Sequence, residues 1–143
     1  MSETKYESKI TSACCTATQV YRVLSNLKNL ERVRDLIPKD KIQELEIESD
    51  FVRMKVDGLA QKITIAIVER AENDFVMFGV EGVPMDAHLW IQMKEVSSVD
   101  TRIKLTIKAD IPMMFRMMIG NKLQAGLDQA PDMLAQFPYA QWQ

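Results

Sequence analysis

Few residues in this chain are of a type that does chemistry. His88 is the single histidine, and Asp86 stands two positions before it, on the same face if the segment is a strand. An imidazole titrates near neutrality, so the pair could act as a general base and its orienting carboxylate. Tyr6 could add a phenol. The plainer reading of His88 is an exposed or hydrogen-bonded strand residue. Cys14 and Cys15 are adjacent. A bridge between neighbours strains the intervening peptide, and two thiolates fall short of a four-ligand zinc site. They read as reduced thiols of a cytoplasmic protein. No glycine-rich phosphate loop, nucleophile elbow or histidine–cysteine arrangement can be assembled. No catalytic residue, metal or cofactor is therefore assigned, and His88, Asp86 and Tyr6 stay as the candidates an enzyme would draw on.

Ten methionines are the most unusual feature of the composition. Methionine is flexible and polarisable, so it suits an adaptable pocket wall as well as ordinary core filling. Met113, Met114, Met117 and Met118 occupy nearly all sides of one helical turn. Some of them must face away from the core, where they could form a partner or homodimer surface. Arg53 and Lys55 read as a solvated strand face. Inside a cavity, a single arginine would instead anchor a carboxylate or phosphate.

The elements that must position these groups follow from length and periodicity. The 143 residues suit one domain, 1–143. With 47% hydrophobic and 27% charged residues the chain is expected to be globular rather than disordered. Lys and Arg total 18 against 20 for Asp and Glu, so no basic stripe advertises a nucleic-acid partner. No apolar run of about 18 residues is present, so no membrane span is expected. Residues 1–8 lack the apolar core of a signal peptide.

Alternation over 6–10 predicts a first strand. Thr16 and Gln19 have capping-box spacing, so a short helix should start near Ala17. Leu30, Val33, Leu36 and Ile37 predict a second short helix, ended by Pro38. From Ile42 to Ala109 the period is two. Turns at Asp57-Gly58, 72–74, 82–84 and 97–100 divide that stretch into an antiparallel meander. From Pro112 the helical period returns and runs to Phe137. Pro131 lies inside it and predicts a kink or an early end. The fold class is therefore α+β: a curved antiparallel sheet of about seven strands, two short helices after the first strand, and a long C-terminal helix across the sheet. One helix covers such a sheet incompletely, which leaves room for a cavity.

The order of elements, with the strings VYRVLSNL (20–27), LWIQM (89–93) and IKLTIKAD (103–110), resembles the START-like (SRPBCC) superfamily and its helix-grip fold. The resemblance covers essentially the whole chain and is nearest to short, stand-alone bacterial members. It implies a hydrophobic molecule held beneath the long helix, since the superfamily includes lipid carriers, polyketide cyclases and hormone-binding proteins. One departure is the stretch LERVRDLI (30–37), which has no aromatic residue where many members carry them.

The first expectation is thus binding or carriage of a small hydrophobic ligand, a lipid or an aromatic metabolite. Strand parity and helix phase assign its walls to Ile65, Ile67, Leu89, Ile91, Leu105, Ile107, Met118, Leu123 and Leu127. The opposite parity of the 89–93 strand would instead turn His88, Trp90 and Gln92 inward. The alternatives are a cyclase- or dehydratase-like enzyme using His88, Asp86 or Tyr6, and an interaction module using the methionine-rich turn.

Overall fold

A hydroxyl and an amide three residues apart open the first helix. Thr16 Oγ1 accepts from the Gln19 amide at 3.2 Å, and Gln19 Oε1 accepts from the Thr16 amide at 3.1 Å. This reciprocal cap satisfies two otherwise orphan donors and starts α1 (Ala17–Leu24) where the spacing predicts. The computed structural model describes residues 3–36, 39–83 and 85–143, and all of their side chains except those of Met118 and Ile119. Pro38, expected to end the second helix, lies outside the described residues.

That second helix differs from expectation. Leu27–Leu36 forms a 3-10 stretch, broken at Val33 by a non-helical φ of -118°. Amide side chains just before it and in its first turn compete for the backbone. Asn26 Oδ1 accepts from the Lys28 amide, and Asn29 Nδ2 donates to the carbonyls of Val23 and Asn26. Such local bonds favour turns over continued α-helix.

The first strand is also two. β1 (Thr4–Glu7) and β2 (Thr11–Ala13) both pair antiparallel with β8 (Asp100–Asp110). Between them Ser8 clasps Leu105: its amide donates to the Leu105 carbonyl, and its Oγ accepts from the Leu105 amide. A side chain there does the work of a backbone acceptor, which alternation cannot reveal.

The meander runs β3 (Ile42–Ile47), β4 (Phe51–Val56), β5 (Ile63–Ala71), β6 (Phe75–Glu81), β7 (Asp86–Ser97) and β8. The sheet order is β1-β8-β7-β6-β5-β4-β3, with β2 beside β8. Register shifts in β3, β5 and β7 bend the strands. At Gly82, φ is +95° and a Cβ would run into the Lys62 carbonyl, so only glycine turns the chain there without strain.

A 3-10 turn (Met113–Phe115) leads into α2 (Arg116–Ala135). Pro131 does not end this helix, which continues to Ala135. The proline is fully buried, and its carbonyl accepts from Thr11 Oγ1 at 3.1 Å. Burial and this bond offset the missing donor. α2 packs chiefly against β1, β2 and β8, whereas α1 packs against β6 and β7. The core between them is built from Val20, Val23, Val76, Phe78, Ile91, Met93, Ile103, Leu105, Leu127 and Tyr139. Among the described residues, no helix is long and apolar enough to cross a membrane.

Candidate functional site

The inward face of the sheet is set by register. Ile91 lies opposite Leu105, and Leu89 opposite Ile107. Across β6, Ile91 lies opposite Val76 and Leu89 opposite Phe78. These residues, with Met93 and Ile103, form one apolar concave face. His88, Trp90 and Gln92 point the other way.

Over this floor, α1, the 3-10 stretch and the end of α2 leave an apolar chamber of about 190 Å³. Phe78 and Ile91 make its base. Val23 and Leu24 come from α1, and Leu27 and Leu30 from the 3-10 stretch. Met133, Leu134 and Phe137 come from the end of α2 and just beyond, and Trp142 from the tail. Among the described lining residues, Asn26 and Asn29 bring side-chain amides, at the edge of the 3-10 stretch, and Trp142 an indole N–H.

The tail forms one side of the chamber, and Tyr139 roots it. This phenol is buried, and its hydroxyl donates to the Leu134 carbonyl at 2.6 Å. Burial, with a smaller push from Cys15, holds its pKa far above the ordinary tyrosine value. Beyond it the Trp142 ring lies tilted by 40° against Phe137, with centroids 5.1 Å apart, and 5.5 Å from the Arg32 guanidinium. An exposed cation–π contact of this kind contributes roughly 0.5–1 kcal/mol. Gln143 Nε2 donates to the Gln19 carbonyl, tying the tail to α1.

Of the residues assigned from sequence, Ile91 lines this chamber. Leu105 and Leu127 are buried in the core beside it. Ile65, Ile67, Leu89 and Ile107 are half-buried inward-facing residues packed on the same core. Leu123 packs on a second cluster of Ala87, Ala109 and Ile111 at the other end of the sheet. The Met118 side chain lies outside the described residues. The walls from α1, the 3-10 stretch and the end of α2 carry signals in the sequence: Val23, Leu24, Leu27 and Leu30 fall on one helical stripe. Trp142 carries none, because nothing local tells a tail to fold back.

None of the candidate ionisable groups His88, Asp86 and Tyr6 lines the chamber. His88 Nδ1 is 4.0 Å from Asp86 Oδ1 on the outer face, where Asp86 is 83% exposed. The His88 ring tilts against Trp90, with Lys108 Nζ 5.4 Å from the indole. Tyr6 faces inward, tucked under α2 where Gly120 makes room: a Cβ there would sit 2.8 Å from the Tyr6 hydroxyl. Arg53 is on the outer face, 3.2 Å from Glu46 and over the Phe51 ring, so it anchors no headgroup in the chamber. Cys14 is exposed and Cys15 buried, both as free thiols, and burial raises the Cys15 pKa. Among the described residues no group of three or more His, Cys, Asp or Glu could hold a metal ion.

No protein-family model matches the sequence, and no curated protein matches it. Solved structures do. Norcoclaurine synthase from Thalictrum flavum, in complex with dopamine and hydroxybenzaldehyde, superimposes with a TM-score of 0.73 at 13% identity. The match covers 94% of this chain and 86% of that one. A conserved protein from Geobacillus kaustophilus gives a TM-score of 0.62 at 15% identity, covering 98% and 96%. A START superfamily protein from Mycobacterium smegmatis gives 0.56 at 12% identity, covering 94% and 97%. With an eight-stranded antiparallel sheet, α2 laid across one side of it and two short helical segments after the first strands, the chain has the START-like helix-grip fold.

Proposed function

We propose that this protein binds or carries a small hydrophobic molecule in its concave interior. The observation that carries this reading is the apolar chamber beneath Trp142, floored by Phe78 and Ile91. Binding would draw on removal of apolar area from water, about 25 cal/mol per Å² before ordering costs. The half-buried inner-face residues Ile65, Ile67, Leu89 and Ile107 would extend the floor toward longer ligands, with Leu105 and Leu127 buried in the core beside them. The same fold in norcoclaurine synthase holds dopamine and hydroxybenzaldehyde, which agrees with aromatic ligands for this architecture. The free thiols suit a reducing, cytoplasmic setting. An enzyme reading has less behind it, since His88 and Asp86 lie on the outer face.

Native mass spectrometry of gently purified protein, followed by extraction of any retained molecule, tests the proposal. We expect a one-to-one apolar adduct that is lost in Leu30→Trp, which fills the chamber from its half-buried rim. A polar adduct, or an apolar one retained equally by the variant, would overturn it.

A second reading rests on a separate observation. Met113, Met114 and Met117 are each more than 80% exposed at the start of α2. Such a cluster suits a homodimer surface beside, rather than instead of, the ligand site.

A further inference from the structure

The chamber has a size, a polarity and a door, and together they narrow the ligand. We propose that it selects neutral apolar molecules of about single-ring size, and that Trp142, held between Phe137 and Arg32, sets that limit. This rests on the ligand-binding reading above and assigns its ligand class.

Size comes first. A cavity of about 150 Å³ lined by Leu, Ile and Phe stays dry and takes benzene. The chamber here is about 190 Å³ with the same kind of lining. A substituted ring or a short branched alkyl group fits that space. A longer chain would meet Trp142, the half-buried ring at the rim.

Polarity is the second restriction. Among the described residues that line it, none is ionisable. The Asn29 amide is committed within the 3-10 stretch: Nδ2 donates to the Val23 and Asn26 carbonyls, and Oδ1 accepts from Arg32 Nε at 3.2 Å. Asn26 Oδ1 accepts from the Lys28 amide. A charge carried into the chamber would give up its water and meet no opposite charge among the described lining residues.

The door follows from the contacts of the tail. Trp142 touches Phe137 beyond the end of α2 on one side and Arg32 of the 3-10 stretch on the other. It therefore spans the gap between the two helical walls. Its root is fixed by buried Tyr139, while Arg32 is exposed. The ring can thus leave without disturbing the core, and its removal should lengthen the space.

The test is calorimetric titration with toluene, pentylbenzene and octanoate at neutral pH, on the natural protein, Trp142→Phe and Trp142→Ala. Thermal melts of each variant establish that it is folded. The natural protein should bind toluene one-to-one, octanoate at least about tenfold more weakly, and pentylbenzene without gain from its longer chain. In Trp142→Ala the preference should move toward pentylbenzene by about tenfold or more, as added methylenes find apolar contact. Trp142→Phe should fall between, and it carries the comparison if the alanine variant is unfolded. Octanoate binding as tightly as toluene overturns the polarity argument. A pentylbenzene-to-toluene ratio unchanged in the folded variants overturns the role of Trp142. If only the two longer probes bind, the ligand-binding reading stands and this inference falls. If none of the three binds, both fall.

Discussion

At one end of the grip, α1, the 3-10 stretch, the end of α2 and the tail meet over Phe78 and Ile91. Every apolar side chain lining that chamber except Met133 is buried or half-buried. At the other end the pairing of Asp86 with Asp110 brings the loop after β6 beside the start of α2. The loop after β4 emerges on the same side, since Met54 pairs with Ile63 and Thr64 with Glu81. There Leu59, Met113, Met114 and Met117 stand in solvent. Both ends are rich in apolar residues, so composition does not separate them. The difference is a second layer. Packing needs an opposing surface, and α1 with the tail supplies one at the closed end only. Fully burying a methionine would contribute about 1.5–3 kcal/mol, so the open end leaves that much uncollected at each exposed position.

The largest effect should come from removing the shared floor of the closed end. Phe78 is 4% exposed and packs in the core as well as lining the chamber. Phe78→Ala should cost about 3–5 kcal/mol in urea unfolding. A loss under about 1 kcal/mol would mean that the closed end is not the packed half of the molecule.

Alkali should loosen the same end next. The folded phenol of Tyr139 keeps its proton above the ordinary value of 10.0, while the unfolded chain releases it there. The unfolded state then binds fewer protons, so stability must fall as pH rises past about 10. Below that pH the contribution is fully present. Cys15, raised by burial from an ordinary 9.0, acts in the same direction from lower pH. Tyr139→Phe should lose about 1 kcal/mol at neutral pH, from the bond to Leu134, and flatten the alkaline fall. Urea midpoints across that range read both, and an equally steep fall in the variant would assign the effect elsewhere.

The smallest stability effect belongs to the open end. Changing Met113, Met114 and Met117 together to Gln should alter stability by no more than about 0.5 kcal/mol. If the cluster is a homodimer surface, sedimentation equilibrium should show the natural protein associating and the triple variant monomeric. A natural protein that stays monomeric at high concentration would remove that reading while leaving the contrast in burial intact.

Much of the frame was legible locally. The Thr16–Gln19 box, the six meandering strands and the turn at Asn73, with its φ of +61°, follow from short-range chemistry. What escaped was decided by partners distant in the chain. Ser8 breaks the first strand by binding Leu105. Pro131 stays helical because it is buried and bonded to Thr11. The site was legible in part for the same reason: Ile91 lies on an alternating strand, whereas Trp142 reaches the chamber only because the tail folds back.

By itself, the sequence determined which side chains share a face. Alternation along β7 groups Leu89, Ile91 and Met93 on one side and His88, Trp90 and Gln92 on the other, because a strand has period two. Which side looks inward was decided only by tertiary structure. Each face carries a large apolar residue, and only pairing with Ile103, Leu105 and Ile107 of β8 puts the first set into the core. The chamber is tertiary in the same sense. Its roof joins Gln19 to Gln143, 124 residues apart, and no local preference can encode a contact whose stability comes from burying surfaces brought together by the whole fold.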